Sequence, residues 1–128
     1  MKKYFIFLIG LFFVTFAVSL CFSAVSEDYE LSGKLENGIR VIEIKALRYR
    51  FEPDPIVVGL GERVRLVVTS MDIAHGLAIR EFNINISIPA GKQISVEFVA
   101  DKKGVFRAYC SVYCGPGHGS MQASFIVK

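Results

Sequence analysis

This sequence predicts an all-β fold: a Greek-key sandwich of antiparallel strands preceded by one N-terminal hydrophobic helix. Three observations carry that expectation. From Ile39 to the C-terminus apolar and polar residues alternate in runs of four to eight, the signature of half-buried strands. Gly- and Pro-containing turn signals separate the runs. No stretch beyond the first 25 residues sustains a helical period.

The N-terminal segment accounts for much of the 52% hydrophobic content of the 128-residue chain. Tyr4 to Val25 holds no charged residue, and as a helix rising ~1.5 Å per residue it could cross a ~30 Å hydrocarbon core. Lys2 and Lys3 ahead of it fit either a membrane anchor or a secretory signal peptide. Its length exceeds a usual signal h-region of ~7–15 residues, and the small-x-small triplet Cys21-Phe22-Ser23 is a weak cleavage signal. Both readings keep the lysines cytoplasmic and put Glu27, Asp28 and all that follows on the outer side. The expectation is a single-pass inner-membrane protein with a periplasmic C-terminal domain, or an exported soluble one if the segment is cleaved. Residues 1–25 are read as this segment, 26–38 as a polar linker and 39–128 as the domain.

The strands follow in order. Ile42, Ile44 and Ala46 alternate with Val41, Glu43 and Lys45. Arg63 to Thr69 alternates basic and apolar residues. Ile84, Ile86 and Ile88, then Ile94, Val96 and Phe98, repeat the pattern, and 105–109 and 123–127 close it. Pro53-Asp-Pro55, Gly59-Leu-Gly61, Pro89-Ala-Gly91 and Lys102-Lys-Gly104 supply the turns. Seven or eight short strands in about 90 residues fit a sandwich.

Charge says little about partners. With Lys2 and Lys3 set aside, 13 basic residues face 12 acidic ones, which argues against nucleic acid. Arg48, Arg50, Arg63, Arg65, Lys102 and Lys103 are either solvated positions or a docking face for an acidic donor; the second reading implies a rate that falls as salt rises.

Chemistry concentrates in Cys110-Ser-Val-Tyr-Cys114-Gly-Pro-Gly-His118-Gly-Ser-Met121. Soft sulfur selects Cu(I), and imidazole suits copper generally. Cys114, His118 and Met121, with His75 as second imidazole, would suit a single blue copper. Cys110 is then surplus, and it makes sense if two metal ions share both sulfurs. Gly115, Gly117 and Gly119 permit unusual backbone angles and Pro116 stiffens the turn, so the loop can hold its ligands still. Competing readings stand beside this one. A lone cysteine pair in an oxidising compartment forms a disulfide by default, which leaves His75, His118 and Met121 without a role. A structural zinc site has no use for the thioether. A Cys-x3-Cys pair also occurs in thioredoxin-fold copper chaperones, whose alternating helices and strands are not found here. A single histidine among apolar residues such as His75 is ordinarily a core residue.

The pattern Cys-x3-Cys-x3-His-x2-Met with an upstream histidine resembles the CuA domain of cytochrome c oxidase subunit II, a site also related to that of nitrous oxide reductase. The resemblance covers roughly residues 40–128. Ser70-Met-Asp-Ile-Ala-His75-Gly resembles the family's segment around its first histidine. Asn83-Ile-Asn85 and Pro89-Ala-Gly91 look most like the short, single-anchor subunit II of B-type haem-copper oxidases. The resemblance implies a cupredoxin fold and a dinuclear CuA centre of two copper ions. Cys110 and Cys114 would bridge them; His75 and Met121 would complete one copper, His118 and the carbonyl of Val112 the other. The implied role is to take single electrons from a cytochrome c or similar small donor and pass them to haem in oxidase subunit I, with no complete catalytic site on this chain. A stand-alone periplasmic copper carrier is the alternative, and a copper-delivery protein a further one.

Two departures from the family's mitochondrial-type pattern qualify the resemblance. Val112 stands where a glutamate is usual, so no interfacial divalent ion is expected. The chain has no tryptophan, and Tyr49 and Phe51 occupy a place similar to the family's tryptophan-rich electron-receiving patch. They are either a docking patch or two ordinary strand aromatics.

Overall fold

The computed structural model describes residues 28–128. The expectations for the anchor or signal segment fall outside these residues. No helix among the described residues is long and apolar enough to cross a membrane.

Ten strands form two sheets. The first sheet orders β1 (Lys34–Glu36), β2 (Ile39–Leu47), β5 (Arg63–Ser70) and β8 (Gln93–Val99), with β3 (Arg50–Glu52) also pairing with β2. The second orders β4 (Ile56–Val58), β10 (Gln122–Val127), β9 (Gly104–Tyr109), β6 (His75–Ile79) and β7 (Ile84–Ile88). The alternating residues face where their pattern directs them. Ile42, Ile44 and Ala46, then Val64, Leu66 and Val68, and Ala123, Phe125 and Val127 are buried between the sheets. Phe82, Phe98, Phe106 and Phe125 meet with ring centroids 5.2–5.7 Å apart, in tilted and edge-on geometries that aromatic pairs favour.

The expectation of purely antiparallel pairing is corrected. β2 and β5 run parallel, Ile39 opposite Arg63 through Ala46 opposite Ser70, and β4 runs parallel to β10. After β3 the chain crosses to the second sheet as β4 and returns as β5 beside β2, in the same direction. Alternation reports which face of a strand is buried and carries no information on its direction.

The sequence also undercounts strands. β6 is buried at all five positions, so it shows no alternation. β4 is three buried residues, and β1 is three exposed ones lying inside the stretch read as a linker.

The domain has two poles. β5 ends and β6 begins at one, where the Cys110–Met121 loop also lies. At the other, Arg40 points inward from β2 and grips Glu62 through two bonds, Nε–Oε2 at 2.6 Å and Nη2–Oε1 at 2.9 Å, while Nη1 donates to Ser32 O at 3.0 Å. Ser32 exchanges two further bonds with Val57, and Lys128 Nζ reaches Asp28. The charge-assisted fork holds Glu62 below the usual carboxylate range, against the upward push of burial and with help from Gly59 N–H.

Candidate metal centre

The ligand loop hangs between two neighbouring strands. β9 pairs with β10 up to Tyr109 opposite Gln122. One more bond, Cys110 N–H to Met121 O at 3.0 Å, clamps the base of the loop. Within it His118 N–H donates to Gly115 O at 3.0 Å, and His118–Ser120 form one 3₁₀ turn that delivers Met121. β6 lies on the other side of β9, with Ala78 opposite Tyr109, so antiparallel register carries Gly76 and His75 alongside the loop.

Close approach needs Gly76. A Cβ there would collide with the Ser111 hydroxyl and come 2.8 Å from Val112 N. The loop glycines divide differently from the expectation. Only Gly115 has a positive φ, +126°. Gly117 sits at φ −89°, open to any residue, yet it must lack a side chain because the Tyr49 ring lies against it. Gly119 faces open space.

The structure gathers all six expected residues: His75 Nδ1, His118 Nδ1, Met121 Sδ and the Val112 carbonyl lie around the two cysteine sulfurs. Cys110 Sγ and Cys114 Sγ are 3.7 Å apart and unbonded. The Cys110 thiol donates to Val112 O at 3.1 Å and lies 4.0 Å from His75 Nδ1. Cys114 Sγ lies 3.6 Å from His118 Nδ1 and 3.7 Å from Met121 Sδ. The donor atoms of His75, Cys110 and Cys114 all fall within 4.8 Å of one another. The sulfurs, Met121 and His75 are buried, His118 partly so.

A metal fits this arrangement. On the ~2.3 Å scale of metal–thiolate bonds, sulfurs 3.7 Å apart subtend about 107° at an ion between them, close to tetrahedral. Burial, reinforced by its neighbour Cys110, pushes the Cys114 thiol up to about 11. Both cysteines must lose a proton to ligate, so a cation is what would compensate the buried charge.

Sequence reasoning missed Asp72. Its Oδ1 lies 2.6 Å from His75 Nε2 and also accepts from Ile73 N–H at 2.7 Å, while Oδ2 accepts from Arg48 N–H at 2.8 Å. Burial pushes this carboxyl up, but the bonds from Arg48, His75 and Ile73 outweigh it and hold it at about 2. A carboxylate on Nε2 keeps that nitrogen protonated and leaves Nδ1 facing the sulfurs as a lone pair. The signal available in the sequence was an Asp three residues before the histidine. Tyr113 was missed as well: 75% exposed, it leans on His118 with ring centroids 5.5 Å apart. Of the two aromatics in question, Phe51 is 1% exposed and belongs to the core, whereas Tyr49 lies against Gly115 and Gly117 of the loop.

Comparison with known proteins identifies the family of the domain. Residues 36–127 match the model of the family described as cytochrome c oxidase subunit II, periplasmic domain. Cytochrome c oxidase subunit 2 of Thermus thermophilus is 31% identical over 87 residues, 68% of this chain and 64% of that protein. A nitrous-oxide reductase of Cupriavidus necator is 33% identical over 112 residues, 84% of this chain but 17% of that protein. The chain thus spans less than two thirds of the length of these relatives. Among solved structures, a chain of a haem-copper terminal oxidase dimer superposes with a TM-score of 0.66 at 27% identity, covering 80% of this chain and 74% of that one. The all-β architecture with mixed sheets is consistent with a cupredoxin fold. On the match across residues 36–127, this chain belongs to the family of cytochrome c oxidase subunit II periplasmic domains.

Proposed function

We propose that this chain is the electron-accepting subunit of a membrane haem-copper oxidase, and that its loop holds a dinuclear CuA centre. The observation that carries the reading is the pair of unbonded thiols 3.7 Å apart, flanked by two imidazole nitrogens, a thioether and a carbonyl. In this reading Cys110 and Cys114 would be held in common by the two ions, with His75 and Met121 as further ligands of one and His118 and Val112 O of the other. When bound, the copper pair would supply one-electron redox chemistry between a cytochrome c or similar small donor and haem in subunit I. The chain's own residues do the rest. Asp72 fixes the His75 ring, and Gly76 lets β6 and the loop meet. The Cys110–Met121 bond holds the loop closed, and the packed sulfurs exclude water. A site held this still needs little rearrangement when charge changes.

Residues 1–25 are proposed as the membrane segment, 26–38 as the link to it, and 39–128 as the copper domain on the periplasmic side. A stand-alone copper carrier remains the alternative only if the chain purifies free of any haem-bearing partner.

Reconstitution with copper tests the assignment. Two coppers per chain, with one unpaired electron shared between them in the spin-resonance spectrum, are expected. Cys110→Ser should abolish that shared signal, and Val112→Ala should leave it nearly unchanged. A single-copper blue spectrum from the unaltered chain would overturn the dinuclear reading.

A further inference from the structure

The outer face of the second sheet carries a second feature beside the metal loop. Tyr109 immediately precedes Cys110 and points the opposite way, its phenol ring lying between two guanidinium groups. Arg107 lies 4.9 Å from the ring centroid and Arg80 5.5 Å, both within cation–π range. Each arginine spends only its Nε on the fold. Arg80 Nε donates to the Tyr109 hydroxyl at 3.0 Å, and Arg107 Nε donates to Gln122 Oε1 at 2.6 Å. Neither takes part in an ion pair among the described residues. Their Nη groups make no hydrogen bond to the described residues, and both side chains are exposed.

The ground around them is concave. A shallow hollow of about 390 Å³ is lined by Ala78, Arg80, Asn83, Asn85 and Tyr109 among others. A smaller one of about 120 Å³ lies between Arg80, Glu81, Arg107 and Tyr109. The larger one is open beside the ring because the strand partner of Tyr109 is the small Ala78. Opposing charge is limited. Glu81 lines the smaller hollow, and Asp54, beside Arg107, is engaged by Ser124 N–H. Lys102 Nζ, bound to Glu81 O, is paired with Asp101 at 3.4 Å and so adds no unpaired cation.

Two preset guanidinium forks around an aromatic ring match carboxylates, which they can grip through paired N–H···O bonds. We propose that this face docks an acidic surface of a partner protein, with Arg80 and Arg107 on its carboxylates and Tyr109 in contact beneath. A partner held here lies one residue along the backbone from Cys110. The inference deepens the electron-accepting role by giving the chemistry of one partner, while the docking itself does not depend on copper.

The test is an NMR titration of the full chain in detergent, with and without copper, using hexaglutamate as probe and hexalysine as control. Hexaglutamate should shift the Arg80 and Arg107 Nε–H signals and the Tyr109 amide in a saturable way, and hexalysine should not. Arg80→Gln with Arg107→Gln should weaken binding at least ~5-fold, and raising salt from 50 to 200 mM should weaken it further. Should the double variant misfold, Gln122→Glu answers the same question, because it places a carboxylate against Arg107 and should also weaken the peptide ~5-fold. Equal shifts with both peptides, or largest shifts at Arg48 or Lys92, would overturn the proposal. The copper spectrum is read separately, so failure of the metal assignment leaves the peptide result interpretable.

Discussion

Asp72 Oδ1 sits 2.6 Å from His75 Nε2, and His75 is fully buried while its carboxylate partner is about a third exposed. The pair selects one tautomer of the ring, with Nδ1 left facing the sulfurs. Asp72→Ala should weaken copper binding about 10–100-fold. Asp72→Asn, which can still accept through its amide oxygen, should recover part of the loss. Competition with a graded copper chelator measures both, and equal affinities across all three proteins would remove Asp72 from the site.

Gly117 and Gly119 should behave oppositely. Gly117→Ala drives a methyl into the Tyr49 ring, an overpacking that costs about 1–3 kcal/mol and displaces the loop. Gly119→Ala meets nothing and should change stability by less than about 0.5 kcal/mol. Thermal unfolding of the copper-free protein separates them; similar melting temperatures would mean Tyr49 does not pack as described.

Ser111 Oγ is the one buried side-chain N or O atom among the described residues with no hydrogen-bond partner. An unmet hydroxyl costs free energy, so Ser111→Ala should be neutral or stabilise by up to about 1 kcal/mol. A loss of stability would reveal a bond made by that hydroxyl in solution.

Acid should unfold the copper-free domain in a defined direction. Glu62 and Asp72 titrate below their unfolded values, so the stability they contribute is full above the ordinary carboxylate range. It is lost as pH falls through their folded values, which for Asp72 is about 2. Glu62→Gln should lower stability at pH 7 and flatten the dependence through the carboxylate range. An unchanged acid limb, followed by circular dichroism, would show that the Arg40–Glu62 fork contributes nothing there.

The proposed ligand set was legible because sulfur and imidazole at fixed spacing have few other uses, and one loop carries five of the six positions. His75 stood out only as the one histidine outside that loop, since the surrounding HGLAI run looks like any buried segment. Strands with one wet face announced themselves; β6, buried on both, and the three-residue β1, β3 and β4 did not. Strand direction was invisible, as were contacts between distant segments: Arg48 N–H on Asp72, or Tyr49 on Gly117. Those pairings are set by the crossover of the chain between sheets, which no local pattern encodes.

The bonds from Ser32 to Val57 and from Lys128 to Asp28 have a mechanical consequence. They fasten the leading end of the domain like a handle at the far side of the barrel from its sulfurs. A load applied through that handle would meet the Arg40 contacts to Glu62 and Ser32 first, since the sulfur-bearing loop lies at the opposite pole.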